Sequence, residues 1–141
     1  MFAKRSTENF VIFSPLEGTL VQNGRPLVDT KIIRRLSWNG NEEGLIHEFT
    51  TDKNGYFKLP IYEEALSLGI LNQFVGKADL EINTGSENIY LWTSSKFFPE
   101  IFTETNGQIT DLVCDINAEE IAVPMGPTSI LTRCRWKNMP K

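Results

Sequence analysis

The residues of this chain that could perform catalysis are few and scattered. His47 is the only histidine among 141 residues, and it lies in an alternating segment that is typical of a strand. A histidine that activates a nucleophile needs a partner within hydrogen-bond reach, and no spacing here supplies one. The known catalytic motifs for serine hydrolases, phosphate-binding loops and zinc proteases are absent from the sequence. We therefore predict that the protein is not an enzyme. A hydrolase built on His47 and its neighbour Glu48 is the weakest alternative.

One segment is superficially similar to a metal site. Residues 52–55 read Asp-Lys-Asn-Gly, which resembles part of a calcium-binding loop. The full calcium pattern needs a glutamate six residues after the glycine, and Ile61 stands at that position. The segment is therefore predicted to be a tight turn, and no metal or cofactor is expected.

The two cysteines, Cys114 and Cys134, are too few for a disulfide scaffold. Both fall at apolar positions of predicted strands. We expect two reduced, buried thiols, because the expected location is a reducing compartment. The sequence leaves open the alternative that they lie across from each other on neighbouring strands.

Acidic pairs and outward-facing aromatic residues are the candidate contacts with a partner. Glu42 and Glu43 lie in a polar, glycine-rich segment, 39–44, that is predicted to be a hairpin loop. Glu63 and Glu64 form a second acidic pair. These four glutamates, together with Trp92, are the predicted partner-binding residues.

The prediction for Trp92 comes from the strand pattern of residues 89–93, Ile-Tyr-Leu-Trp-Thr. If Ile89 and Leu91 face the core, strict alternation places Tyr90 and Trp92 outward together. Exposed aromatic pairs are common in binding hot spots and in sugar-stacking platforms. A strand that is buried on both faces is the alternative.

Charge and hydropathy exclude some classes of partner. The chain has 14 basic and 18 acidic residues, for a net charge of −4, whereas nucleic-acid binding requires a basic face. No apolar run reaches membrane-spanning length. The basic residues near the amino terminus are not followed by an apolar segment long enough for a signal peptide. We expect no nucleic acid, no membrane association and a cytoplasmic location.

Short alternating segments separated by turn residues predict an all-β protein, an antiparallel β-sandwich that forms one domain over residues 1–141. Residues 61–74 depart from the alternation and contain good helix formers, so they predict a short helical or loop insertion. The residues expected to be buried in the sandwich are Phe57, Leu59, Leu80, Ile82, Leu112 and Ile116.

Residues 17–60 resemble a known fold family. They contain Gly18, an Asn-Gly-x-Pro turn at residues 23–26, and Thr-Asp-x-x-Gly-x-Phe at residues 51–57. This pattern is similar to carboxypeptidase-regulatory-like, transthyretin-like (prealbumin-like) β-sandwich domains. The resemblance implies the fold far more than a function, because such modules serve many roles. Transthyretin-like hydrolases carry several histidines and a carboxy-terminal Tyr-Arg-Gly-Ser motif, which this chain lacks.

A small acidic chain without a catalytic set is expected to act by binding another protein. Stand-alone bacterial proteins of this kind are often immunity partners of toxins, and an acidic surface suits a basic toxin or effector domain. We therefore expect a non-catalytic immunity protein. The alternative is a β-sandwich that binds carbohydrate or a cell-surface polymer through Tyr90 and Trp92.

Overall fold

The computed structural model describes residues 8–67 and 73–140, and every regular element within them is a β-strand. None of those residues forms a helix of the length and apolarity that crossing a bilayer requires. The thirteen strands are β1 (Glu8–Phe13), β2 (Leu16–Gln22), β3 (Arg25–Pro26), β4 (Lys31–Trp38), β5 (Asn41–Thr50), β6 (Tyr56–Leu59), β7 (Tyr62–Leu66), β8 (Gly76–Asn83), β9 (Asn88–Lys96), β10 (Leu112–Asp115), β11 (Ile121–Pro124), β12 (Ser129–Thr132) and β13 (Cys134–Arg135).

The strands form three sheets. A six-stranded sheet has the order β11-β12-β9-β8-β4-β5, and a five-stranded sheet has the order β13-β10-β2-β3 with β6 also paired to β2. A third sheet consists of β1 and β7. All pairs are antiparallel except β10 with β2. The prediction of an all-β, sandwich-like fold is confirmed.

The core lies on one face of the six-stranded sheet, which we call its inner face. On β4 this face carries Ile32, Leu36 and Trp38, at most 6% exposed, because successive side chains of a strand point to opposite sides. The predicted core residues are all buried, with 0–7% of their surface exposed. They are Phe57, Leu59, Leu80, Ile82, Leu112 and Ile116.

Both predicted turns are present. Asn23 and Gly24 have positive φ angles of 52° and 81° and connect β2 to β3, as expected for this dipeptide. At the second turn, the Asp52 carboxylate accepts hydrogen bonds from the backbone N–H groups of Asn54 at 2.8 Å and Tyr56 at 3.0 Å. The Asp-Lys-Asn-Gly segment is therefore a turn whose carboxylate binds the backbone.

The predicted helical or loop insertion at 61–74 is wrong over residues 62–66. These residues form strand β7, which pairs with β1 and places Glu63 opposite Val11 and Glu64 opposite Phe10. Pairing with a strand distant in sequence overrides the local helix preference of the two glutamates. Residues 68–72 of the predicted insertion lie outside the described residues.

The prediction of two reduced cysteines is also wrong. Cys114 and Cys134 are direct partners on β10 and β13 and form a disulfide. Both are buried, at 1% and 0% exposed. The structure therefore adopts the alternative in which the two cysteines face each other across neighbouring strands. Two directly opposed strand residues bring their side chains together.

Candidate binding face

The second face of the six-stranded sheet carries exposed side chains, and we call it the outer face. Directly paired residues of neighbouring strands share a face, so the register defines a row of side chains across this surface. Ile46 is opposite Arg35, Arg35 is opposite Asp79, Asp79 is opposite Thr93, and Thr93 is opposite Leu131. Four strand spacings separate the ends of this row, roughly 19 Å. The outer face is therefore wide enough to contact another macromolecule.

Large apolar side chains stand at both ends of the outer face. Ile46 on β5 is 59% exposed, Leu131 on β12 is 43% exposed, and Tyr90 on β9 is 45% exposed. Exposed apolar side chains on a surface of this width can each contribute contact area to an interface. This side of the protein thus combines apolar ends with a polar centre.

The centre of the outer face is an ion pair between β4 and β8. Arg35 Nε donates to Glu81 Oε1 at 2.7 Å, and this hydrogen bond raises the pKa of Arg35. Glu81 is only 2% exposed, and its Oε2 has no hydrogen-bond partner within the described residues. The guanidinium is therefore held in place by a buried carboxylate.

A groove of about 220 Å³ runs beside this ion pair, between the β4–β5 hairpin and β8. Its charged lining residues are three acids (Glu42, Glu43 and Asp79) and two bases (Arg35 and Lys77). Because Arg35 is already paired with Glu81, the acids dominate the charge that the groove presents. Glu42 and Glu43, both exposed, thus lie at a surface groove as potential contact residues.

The hairpin that carries Glu42 and Glu43 is tighter than the loop predicted over 39–44. Trp38 pairs with Asn41, so the turn itself contains only two residues, and an irregularity in the register follows it. Gly44 has a φ angle of +78°, and a Cβ atom there would lie 2.0 Å from the carbonyl oxygen of Leu36. Only glycine fits at this position, and residues 42–44 together form a bulge of β5 opposite Ser37.

Glu63 and Glu64 do not join the groove. They lie on β7, and the neighbouring Tyr62 ring packs 5.8 Å from Trp38 and 5.4 Å from His47, both of which face inward. Strand β7 is therefore on the inner side of the sheet, opposite the outer face. The Glu64 carboxylate also accepts a hydrogen bond from the Tyr62 hydroxyl at 2.5 Å, whereas Glu63 is exposed.

The expectation that Trp92 faces outward is wrong. Register shifts between Leu80 and Glu81, so that Trp92 is opposite Leu80 and Tyr90 is opposite Glu81, with Leu91 as the extra residue of a bulge. Trp92 is 1% exposed, and its indole N–H donates to Ser94 Oγ at 3.0 Å. Tyr90 alone remains on the outer face, so the predicted aromatic pair does not form.

His47 and Glu48 lie on opposite faces of β5. His47 pairs with the buried Arg34 and faces inward. Glu48 is exposed and lies 3.4 Å from Lys31 Nζ. A shared acid–base role needs both groups at one reacting atom, and this geometry separates them.

Arg34 is a buried charged residue, and strand alternation places it on the same face as the core residues of β4. It is 2% exposed and lies 4.8 Å from the centre of the Phe13 ring and 4.9 Å from that of Phe49. Its guanidinium donates to the Pro60 carbonyl at 2.6 Å and to His47 Nδ1 at 3.0 Å. Burial lowers the pKa of Arg34 to about 10, so it stays charged at neutral pH. No carboxylate forms an ion pair with it in the described part of the chain.

The contact between His47 and Arg34 predicts a fold that loses stability in acid. Because Arg34 can only donate hydrogen bonds, His47 Nδ1 must accept, which requires neutral imidazole. Burial and the Arg34 charge both lower the pKa of His47. A histidine whose pKa is lowered in the folded state stabilises the fold fully above its unfolded pKa of about 6.5 and loses that contribution as pH falls below it.

We therefore predict that the free energy of unfolding decreases between pH 7.5 and pH 5.5. Urea unfolding at both pH values would measure this decrease, with His47→Gln as the control that cannot titrate. The decrease should be larger for the wild type than for His47→Gln. Equal decreases would show that His47 does not contribute to the acid sensitivity.

A second buried polar cluster holds the segment after β9. Lys96 donates to the Phe98 carbonyl at 2.7 Å and lies 3.7 Å from Glu104. Glu104 accepts from both the backbone N–H and the hydroxyl of Ser14, at 3.0 and 2.7 Å. Each of these contacts joins the segment to the core, so the cluster has a structural role. Within residues 8–67 and 73–140, no group of three or more His, Cys, Asp or Glu side chains is placed to hold a metal ion.

Comparison with protein families places the chain in one of them. The family model described as "Domain of unknown function (DUF6795)" matches residues 16–119, most of the chain, and the protein therefore belongs to this family. The match includes the Glu42–Glu43 hairpin and strands β8 and β9 of the outer face. No curated protein and no solved structure matches the chain.

Proposed function

We propose that this member of the DUF6795 family is a non-catalytic protein-binding domain, and that it acts as an immunity protein that binds and neutralises a bacterial toxin or effector. The observation that carries the proposal is the outer face, where exposed apolar residues lie beside a groove whose charged lining residues are three acids and two bases, one of the bases already paired with Glu81. Interfaces commonly combine apolar contacts with complementary charge.

The charge of the groove suits a basic partner. Glu42, Glu43 and Asp79 lie at one surface, and acids grouped in this way attract a basic protein over about one Debye length. Such attraction mainly raises the association rate and discriminates between partners. The apolar side chains of Ile46 and Leu131 would then supply buried contact area. Fast capture is what a protein that neutralises a toxin needs.

The carbohydrate-binding alternative has less support. It relied on Tyr90 and Trp92 as a stacking platform, and Trp92 faces the core at 1% exposed. A single exposed tyrosine offers little stacking area.

The cytoplasmic location expected from the sequence stays a prediction, and the disulfide between Cys114 and Cys134 argues against it. Structural disulfides are common in oxidising compartments and rare in a reducing cytosol. An immunity protein that acts outside the cytosol would meet a toxin delivered to the cell envelope.

The two acidic pairs allow a sharp test, because they lie on opposite sides of the six-stranded sheet. The partner would first be captured by affinity purification from the native cells and identified by mass spectrometry. We predict that Glu42→Lys/Glu43→Lys slows its association with the protein several-fold, whereas Glu63→Lys/Glu64→Lys, with the same change in net charge, has a smaller effect. Stopped-flow association across a salt series would measure both variants.

Association of the wild type should slow as salt screens the attraction. Glu42→Lys/Glu43→Lys should keep the stability of the wild type within error, because exposed charges contribute little to it. Glu63→Lys/Glu64→Lys also removes the hydrogen bond from Tyr62 to Glu64 and should lower the free energy of unfolding by about 1 kcal/mol. Rates that respond neither to salt nor to the Glu42 and Glu43 changes would contradict the proposed binding face. A larger effect of Glu63 and Glu64 would move the contact to the β7 side.

A further inference from the structure

Strand β5 is an open edge of the six-stranded sheet. It has ten residues, Asn41–Thr50, and pairs with β4 on one side. In the described part of the chain, no strand pairs with its other side. An unpaired edge presents backbone donors and acceptors that can accept a strand from another molecule.

The other outermost strands are poorer templates. Strands β11 and β3 end in Pro124 and Pro26, and proline cannot donate to a sheet ladder. Strands β1, β6, β7 and β13 have between two and six residues. Short strands and prolines are devices that natural proteins use to block edge pairing. β5 is twice as long as β7 and contains no proline, and beyond its bulge at residues 42–44 it pairs regularly with β4 from Leu45 to Thr50.

The free backbone groups of β5 can be assigned from the register. The Thr51 N–H donates to the Thr30 carbonyl at 2.9 Å, and hydrogen-bonded pairs alternate along an antiparallel ladder. Leu45, His47 and Phe49 are therefore bonded to β4. Ile46, Glu48 and Thr50 direct their N–H and C=O groups away from β4. Three consecutive outward sites are enough for a short ladder.

The charge of β5 indicates what kind of strand could pair with its free edge. The strand contains Glu42, Glu43 and Glu48 and neither lysine nor arginine, and all three glutamates are exposed. A second copy of β5 would place acids near acids, which disfavours pairing, whereas a basic strand would place opposite charges across the ladder. Charge complementarity therefore favours a basic segment of a different protein.

We propose that β5 accepts an extended, basic segment of a partner protein as a seventh strand of the six-stranded sheet. The inference rests on the proposed protein-binding function, but it does not require that the partner be a toxin. Backbone hydrogen bonds to Ile46, Glu48 and Thr50 would align the segment. Its lysine or arginine side chains would pair with Glu42 and Glu43, next to the groove, and would compete with Lys31 for the exposed carboxylate of Glu48.

A synthetic peptide can test the edge before any partner is known. We would add a ten-residue peptide of alternating valine and lysine to the ¹⁵N-labelled protein and follow amide hydrogen exchange by NMR. In the free protein, the amides of Ile46, Glu48 and Thr50 should exchange fast and those of Leu45, His47 and Phe49 slowly. With the peptide bound, exchange at the first three should slow by about tenfold or more, as one added hydrogen bond per amide allows.

Two controls separate edge pairing from simple charge attraction. A peptide of alternating valine and glutamate should not bind. Ile46→Pro removes an outward N–H without removing a bond to β4 and should weaken the valine–lysine peptide by about tenfold, whereas Ile46→Ala keeps the N–H and should weaken it less. If Ile46→Pro fails to fold, the amide exchange of the wild type with the peptide still tests whether the peptide pairs with the edge of β5.

Three outcomes would overturn the inference. One is binding of the basic peptide without slower exchange at Ile46, Glu48 and Thr50, and another is no binding at all. The third is protection of these amides in the free protein together with a dimeric mass, which would assign the edge to a second copy of the chain. Each outcome leaves the association test with Glu42→Lys/Glu43→Lys unaffected, so the two proposals fail separately.

Discussion

The Phe57→Ala variant is expected to unfold with about 3–5 kcal/mol less free energy than the wild type, the usual effect of truncating a buried phenylalanine. Phe57 is 2% exposed in the core, and its strand β6 pairs with β2, placing Phe57 opposite Gly18. The missing ring would leave a cavity between the sheets. Urea unfolding monitored by tryptophan fluorescence would measure the change.

Lys58→Ala is the matched control for this prediction. Lys58 is the next residue of β6 and is exposed, so its truncation should change the free energy of unfolding by less than about 0.5 kcal/mol. Similar effects of the two substitutions would mean that β6 does not contribute to a packed core, and the sandwich arrangement would be contradicted.

Loss of the disulfide is the second large effect expected. Cys114 and Cys134 are separated by 20 residues in sequence, and a cross-link over a loop of that size stabilises a fold by about 3 kcal/mol through the unfolded state. The double variant Cys114→Ala/Cys134→Ala should therefore lose about that much free energy of unfolding. Wild-type protein treated with a reductant should lose a similar amount, whereas the double variant should not respond to the reductant.

Alkylation gives an independent measurement of the same bond. Protein purified from its native cells, denatured without reductant and treated with iodoacetamide, should show no modified cysteine by mass spectrometry. Two modified cysteines would contradict the disulfide in the natural protein. They would also restore the argument for a reducing, cytoplasmic location.

The sequence was sufficient to predict the strands wherever side chains alternate regularly. In β8, Ala78, Leu80 and Ile82 face the core, as the pattern Lys77-Ala-Asp-Leu-Glu-Ile predicts. The turns at Asn23-Gly24 and residues 52–55 were predictable because their residue types have specific backbone preferences. Local patterns of this kind are sufficient to predict the all-β class and most of the core residues.

Features that depend on pairing between distant strands could not be predicted. The bulge at Leu91 reverses the direction of Trp92, and only the register with β8 reveals it. The direct pairing of Cys114 with Cys134 likewise requires the register of β10 with β13. In each case the deciding information is which residue lies opposite, and local composition does not contain it.

The candidate binding face was predictable only in part. Glu42 and Glu43 were identified from their exposed, glycine-rich context, and they line the groove. Asp79 and Lys77 reach the same groove from β8, far away in sequence. The row from Ile46 to Leu131 crosses five strands, so it becomes visible only when the sheet is assembled.

The measurement that tests the central claim most directly is the growth of cells that express the captured partner. The partner would be induced alone, with the wild-type chain, or with the Glu42→Lys/Glu43→Lys variant, each directed to the same compartment and present in equal amounts. We predict that the partner alone arrests growth, that the wild type restores it, and that the variant restores it much less. A partner that is harmless, or a variant that protects as well as the wild type, would contradict neutralisation through this face.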